Sequence, residues 1–560
     1  MLKKYTHFFL LILLPFFCFS QNPNYFISPL NIKLNLAGSF GEIRGNHFHS
    51  GIDIKTNQGV GYPIFAVADG FVSRLRVQEL GFGNAIYIDH PNGITTVYAH
   101  LLQYNKVLAK YIKDYQYQNK TFQVDFKLTP IEIPVKKGDI IGYTGNTGSS
   151  VAPHLHFETR DTKTEDIINP LTLGYDILDQ IKPTISKLYV YYLNKKPFSD
   201  KTLKSAFSLT GSNGNYSIAK NIILKLGGEI GFGIQASDQF SGNLNMNGIY
   251  STSLYVDGKL IYETQVKQFA FETSRGINSY IDYPLLLKSG ITVQKSFVSA
   301  GIKPNFYTSI TNKGLVMFDD EGLHSVKYIV KDFKGNISEL NFKVQSTNAV
   351  LQESNPSPPA KVLRYDVENT IIEPDFKVLL PKDILYDDLE FTYSKSANNK
   401  TAYSPVYHVH NKLTPLHSNY NLWIKPDTSL HNLDKAVIVN TAGVYQGGVN
   451  DDGFIKASPK AFGSFYITTD AQPPFITPVA ESSNHSLSNK IQFRIGDNLS
   501  GIKSYNGYID DQWVLMQMDG RTRILTHIFD EKTGFGKHNF KLVVTDKQDN
   551  VKEYNSTFFR

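Results

Sequence analysis

Three pieces of sequence decide the fold: NHFHSGIDI at 46–54, TTVYAHL at 95–101 and APHLHFE at 152–158. The first holds His49 and Asp53, the second His100, and the third His154 and His156. Apolar residues alternate with these polar ones. Phe48, Ile52 and Ile54 are out of phase with His47, His49 and Asp53; Val97, Ala99 and Leu101 flank Tyr98 and His100; Leu155 and Phe157 flank His154, His156 and Glu158. A period of two predicts strands with one buried face. Joined in one sheet, such strands point four histidines and an aspartate to the same side. Imidazole and carboxylate on rigid strands are ligands that suit zinc.

The flanking sequence is also strand-like. Residues 63–68 and 71–77 are predicted strands about an Asp69-Gly70 turn, and 85–89 and 94–98 form a hairpin around His90-Pro91-Asn92-Gly93. His90 is read as a surface residue of that turn rather than a ligand. Aromatic residues make up 13% of the chain and long helical periodicities are rare, so the expected class is all-β, mainly antiparallel. One exception is an insert, 102–134. Within it 107–118 reads as a helix, with Val107, Tyr111 and Tyr115 four apart, and 121–128 as a strand. Leaving directly after His100, the insert is expected to border the groove. Val135 to Gly142, VKKGDIIG, returns to the barrel; the phrase also occurs in lipoyl- and biotinyl-type domains, but no Met-Lys-Met-like turn accompanies it. The glycine- and serine-rich loop 145–153 then leads into His154, where main-chain N–H groups can approach a bound peptide.

Residues 1–20, MLKKYTHFFLLILLPFFCFS, read as a secretory signal peptide: a basic start, an apolar run too short to span a bilayer, and small residues before Gln21. The competing reading is a retained membrane anchor. Cys18 is the only cysteine, so the mature chain has no disulfides and depends on core burial. A net charge of +6 on 560 residues, with Lys and Arg scattered, does not suggest nucleic acid and is too small an excess to decide affinity for an anionic polymer.

From 180 to 560 the chain is β-rich without a comparable cluster. A weak repeat links Asp238-Gln-Phe-Ser241-Gly242 to Asp497-Asn-Leu-Ser500-Gly501, and Lys331-Asp332-Phe-Lys-Gly335-Asn336 to Thr545-Asp546-Lys-Gln-Asp549-Asn550. Both copies read as immunoglobulin-like sandwiches, the first with an insertion of about forty residues. The expected layout is a signal peptide at 1–20, a domain carrying the histidine and aspartate cluster at 21–178, a sandwich at 179–350, a Pro-rich linker at 351–360, a β-rich region at 361–470 and a second sandwich at 471–560. His408 and His410 form another His-x-His, read as a solvated strand face rather than a metal site.

His-x-x-x-Asp, then Tyr-Ala-His, then His-x-His after Gly-Asn-Thr-Gly, resembles the lysostaphin-type zinc metallopeptidases, which cut the peptide cross-links of bacterial cell walls. The resemblance covers roughly residues 31–175. It implies one zinc per chain held by His49, Asp53 and His156, with His100 and His154 as catalytic histidines whose roles as base and oxyanion donor are interchangeable. Arg44, Asn46 and His47 are candidate groove residues, and Glu158 is a candidate acceptor orienting His156. The implied activity is hydrolysis by zinc-activated water, with peptidoglycan stem peptides as substrate. The implied location is exported: periplasmic, envelope-associated or extracellular, with no transmembrane segment in the mature chain. The C-terminal β domains suit wall or protein partners. Two alternatives stay open: a non-catalytic wall-binding or regulatory protein, and an exported peptidase for other proteins.

Overall fold

The computed structural model describes residues 25–348, 361–397, 402–480 and 488–560. The signal-peptide reading of 1–20 and the linker reading of 351–360 fall outside them. The first region is a twisted antiparallel sheet. In chain order its strands are β1 (Leu36–Gly38), β2 (Ile52–Lys55), β3 (Pro63–Phe65), β4 (Gly70–Val77), β5 (Asn84–Asp89), β6 (Ile94–Ala99), β7 (Gln103–Tyr104), β8 (Val124–Lys127), β9 (Pro134–Val135), β10 (Ile140–Tyr143), β11 (His154–Asp161) and β12 (Ile167–Ile168). The main sheet runs β1-β2-β11-β6-β5-β4-β8, and a small second sheet runs β3-β10-β7. Ile52, Ile54, Tyr98, Leu155 and Phe157 are fully buried in one core between them.

The alternation in β11 holds: Leu155 and Phe157 enter that core, while His156 pairs with Asp53 of β2 on one side and Ala99 of β6 on the other. Two expectations need correction. Residues 46–51 are not strand; His49 sits in a loop tied by the Ile43–Phe48 bridge, and Phe48 is drawn into a separate aromatic cluster with Phe40, Phe269 and Phe306. In β6 it is Val97 and Ala99, not Tyr98, that share the face of His156, since Tyr98 pairs with Phe157 and packs in the core beneath.

The insert carries α1 (Lys106–Asn119), capped by Asn105, whose side chain accepts from Leu108 N, and closed by Lys120 in the left-handed region. Its buried stripe is Leu108, Ile112 and Gln116, one residue on from the expected Val107 and Tyr111, which are exposed. The insert's strand β8 joins β4 at the sheet edge far from β2 and β11. The helix packs Leu108 and Ile112 into the peptidase core and meets the last domain with another face: Tyr117 Oη donates to Asp530 Oδ2 at 2.7 Å, and Lys113 Nζ lies 3.0 Å from the same carboxylate. His90 is another correction. It is 4% exposed, its ring nitrogens bond Asp69 O (2.8 Å) and Thr96 Oγ1 (2.8 Å), and Phe26 packs edge-on against it, so the turn residue is also a core residue.

Three further cores follow. Residues 184–346 build a large β domain on one twelve-stranded sheet, and its insertion packs back on the peptidase sheet: Gln268–Phe269 pairs with β12, and Ser274 Oγ accepts from Phe48 N at 3.1 Å. Residues 361–469 form two five-stranded sheets around Phe376, Tyr407 and Ile438. There His408 is bonded to Ser396 and Ser464, and His410 is stacked on Phe391 with burial pushing its pKa down to about 4, so this pair is not a solvated face. Residues 475–559 form two four-stranded sheets over Phe493, Phe540 and Leu542.

Candidate metal centre

His49 Nε2, Asp53 Oδ1 and His156 Nδ1 converge, at 3.1 Å (His49–Asp53), 3.2 Å (His49–His156) and 2.9 Å (His156–Asp53). Ligands about 2.0–2.1 Å from a tetrahedral zinc sit about 3.3 Å apart, so the three atoms are spaced to hold one ion. The tautomers fit as well. His49 Nδ1 donates to Ser39 O at 2.7 Å, which leaves Nε2 as the lone pair facing Asp53. His156 Nε2 meets Glu158 Oε1 at 2.9 Å, which leaves Nδ1 to face it. A carboxylate or carbonyl behind each imidazole is how metal-binding histidines are oriented.

Glu158 is itself fixed. It is fully buried, and Arg160 donates to its Oε2 from Nε (2.8 Å) and Nη2 (2.6 Å). Burial opposes the charge, yet Arg160 and His156 hold Glu158 down at about 2. The charge of Glu158 matters in turn for His156. Burial lowers the pKa of that ring, but the bonds to Asp53 and Glu158 outweigh it and raise it to about 9 in the metal-free site. Burial also opposes ionisation of Asp53, and its three histidine neighbours hold it well below the ordinary carboxylate range.

His100 and His154 stand beside this group, their ring centroids 4.8 Å apart, with His100 5.8 Å from His156. His154 Nε2 lies 3.3 Å from Asp53 Oδ1. Each ring is held through Nδ1 by a main-chain carbonyl, Thr147 O at 2.9 Å for His100 and Ala152 O at 2.8 Å for His154, so each presents Nε2 to the cleft. His100 does not continue β6; its φ of 62° turns the ring out of the path that would carry it into the core with Tyr98. Burial, then the charges of His156 and His154, push it down to about 3. The loop that supplies Thr147 O needs Gly148, which has φ +70°, and a Cβ there would stand 2.3 Å from Gly83 N.

The remaining candidates divide. Arg44 Nη2 pairs with Asp53 Oδ2 at 3.1 Å, beside the cluster. Asn46 and His47 are exposed and bond each other at 2.9 Å, outside it. Phe82, stacked on His156 at 5.3 Å, and Arg160 were not legible as site residues. Arg160 carries a signal in hindsight, lying two residues beyond Glu158 on the same strand face; Phe82 carries none.

Comparison with known proteins agrees with this picture. Residues 47–117 match Peptidase family M23, and residues 360–470 match the Zu5-like domain. The DD-carboxypeptidase/endopeptidase Mpg of Neisseria meningitidis is 35% identical over 112 residues, 20% of each chain. Lysostaphin of Staphylococcus staphylolyticus is 32% identical over 111 residues, 20% of this chain and 18% of that one. Among solved structures, the catalytic domain of lysostaphin from Staphylococcus simulans is matched at 25% identity, covering 25% of this chain and 93% of that one, with a TM-score of 0.19. The chain thus spans about a fifth of the length of the curated relatives it matches. It carries an M23 peptidase domain of the lysostaphin type, and its fold is all-β.

Proposed function

We propose that this M23 peptidase domain makes the chain an exported, zinc-dependent metalloendopeptidase that hydrolyses peptide cross-links of bacterial peptidoglycan. The observation that carries the reading is the convergence of His49 Nε2, Asp53 Oδ1 and His156 Nδ1, each set by its own partner, beside two further imidazoles. His49, Asp53 and His156 would hold the metal. Bound there, zinc acts as a Lewis acid and brings the pKa of a water from 15.7 to about 7. Three protein ligands rather than four are the mark of a catalytic site.

His100 and His154 do the proton work. In the neutral form both offer a lone pair at Nε2, because Nδ1–H is committed to Thr147 O or Ala152 O. One ring accepts the proton of the attacking water and returns it to the leaving amine; the other, carrying a proton, donates to the oxygen of the scissile carbonyl. Arg44 holds the outer oxygen of Asp53, keeping Oδ1 turned to the cluster.

The wall substrate is supported by what the relatives are called, an endopeptidase of Neisseria meningitidis and lysostaphin. Export is supported by the leader-like sequence of 1–20. No helix among the described residues is long and apolar enough to cross a membrane. The Zu5-like region and the two sandwiches would hold wall or protein partners. The test is digestion of purified peptidoglycan by the zinc-loaded chain, with mass spectrometry of the products. New amine and carboxyl termini within the cross-links are expected; an unchanged muropeptide profile would refute the reading.

A further inference from the structure

Two clusters of carboxylates outside the peptidase site occupy the same place in the two sandwiches that share a sequence repeat. Asp179, Asp238 and Asp332 bring one oxygen each to within 4.8 Å of one another, and so do Asp470, Asp497 and Asp546. The asparagine that closes each cluster makes the same three bonds. Asp332 accepts from Asn336 N (2.8 Å) and Asn336 Nδ2 (2.6 Å), and that amide also donates to Asp179 O at 3.3 Å. Asp546 accepts from Asn550 N (2.8 Å) and Nδ2 (2.7 Å), and that amide donates to Asp470 O at 3.0 Å. Asp238 and Asp497 open the two Asp-x-x-Ser-Gly turns.

The clusters are buried and short of donors. Asp238 is 4% exposed and Asp470 1%, and each has an Oδ1 with no hydrogen-bond partner. Asp179 Oδ2 and Asp497 Oδ1 are also without one. The donors that do reach these carboxylates are main-chain N–H groups and the Asn amide, with no cationic side chain among them. Three converging carboxylates, two of them in each cluster with an oxygen that has no partner, have the composition of a ligand set, since a buried charge is ordinarily paired or bound to metal.

We propose that each cluster is a binding site for a hard divalent cation of the calcium class. The donors are oxygen only, which suits calcium and not zinc or copper. Calcium–oxygen bonds of about 2.4 Å let one ion span the spacing within each cluster, with main-chain carbonyls and water completing the shell. The sites lie where the chain passes between domains. Asp179 precedes the strand Thr184–Tyr192 after the peptidase sheet, and Asp470, the last residue of the Zu5-like region, precedes Phe475–Pro478. A cation there ties the incoming chain to two strand-end loops of the next sandwich and so fixes the angle at which that sandwich meets its neighbour.

The test uses the full mature chain, freed of divalent ions on a chelating resin and reloaded with zinc. Calorimetric titration with calcium chloride should show two calcium ions per chain, one after Asp238→Asn, one after Asp497→Asn, and none in the double variant. The wild-type melting temperature should rise with calcium chloride and less with magnesium chloride. That second measurement stands even where a variant fails to fold. Absence of binding at about 10 mM calcium, above the range of weak extracellular modules, would overturn the proposal. So would binding that survives in the folded double variant, or equal stabilisation by magnesium.

Discussion

The backbone of His100, with φ at 62°, turns a ring that strand alternation would bury toward His154 and His156 instead. The motif Tyr-Ala-His is therefore legible as chemistry but not as geometry: the alternation places Tyr98 and His100 on one face, and the structure separates them. Because His100 and His154 bond main-chain carbonyls through Nδ1, replacing either by Ala should remove a proton acceptor or donor and leave the ligand atoms in place. Peptidoglycan cleavage is expected to fall by about 10²-fold or more, with zinc content near one per chain by elemental analysis. His156→Ala, by contrast, should lose the zinc. Glu158→Gln removes the acceptor behind His156 and should weaken zinc affinity by about 10–100-fold, read by competition with a chromophoric chelator.

His156 also sets a proton balance. Its metal-free pKa of about 9 means that the ring carries a proton at neutral pH, and zinc needs Nδ1 bare. Zinc uptake near pH 7.5 should therefore release about one proton from this ring, and the release should fade as the pH rises past 9. Calorimetry in two buffers of different ionisation enthalpy measures it; binding enthalpies independent of buffer would contradict the assignment of His156.

Strands β2 and β11 are readable because their apolar residues recur with a period of two over a buried core, and Leu155 and Phe157 behave as that pattern demands; β6 is buried on both faces, so alternation alone does not assign its sides. The loop before β2 was misread because Phe48 is apolar for a different reason: it packs on Phe269 and Phe306, which come from a domain more than two hundred residues later. In α1 the stripe that enters the peptidase core is Leu108 and Ile112, while Tyr117 and Lys113 on another face meet Asp530 of the last domain. Local periodicity carries no record of such partners. The loop 145–153 offers a direct test of an element that only positions others. Gly148→Ala forces a Cβ into a left-handed residue packed on Gly83, at a cost of about 1–3 kcal/mol, and displaces the Thr147 carbonyl that holds His100. Lower turnover with unchanged zinc content and a lower melting temperature are expected; wild-type turnover would show that this loop does not position His100.

The domains are held together by contacts that lean on both sides of the peptidase sheet. On one side the insertion of the second domain extends the sheet through the pairing of Ile167 with Phe269. On the other, the last sandwich takes Phe122 against its core, bonds Glu79 through Tyr505 Oη at 2.8 Å, and sends Arg521 to the carbonyl of Ser150 in the loop before His154. Removing residues 471–560 should leave a zinc-binding peptidase sheet but bare the insert, so limited proteolysis should cut within 106–128 well before the intact chain is cut. Equal resistance of both chains would mean that the docking contributes nothing to the insert's order. None of this packing was foreseeable from sequence, because the residues that meet lie from roughly one hundred to more than four hundred positions apart.

One metal held by His49, Asp53 and His156 is what, in the proposed function, makes this chain a wall hydrolase. The most direct measurement is titration of zinc into the metal-free chain while the turbidity of a peptidoglycan suspension is followed. The clearing rate should rise from near zero to a plateau at one zinc per chain. Zinc that binds without clearing the suspension, or clearing that proceeds at full rate without zinc, would contradict it.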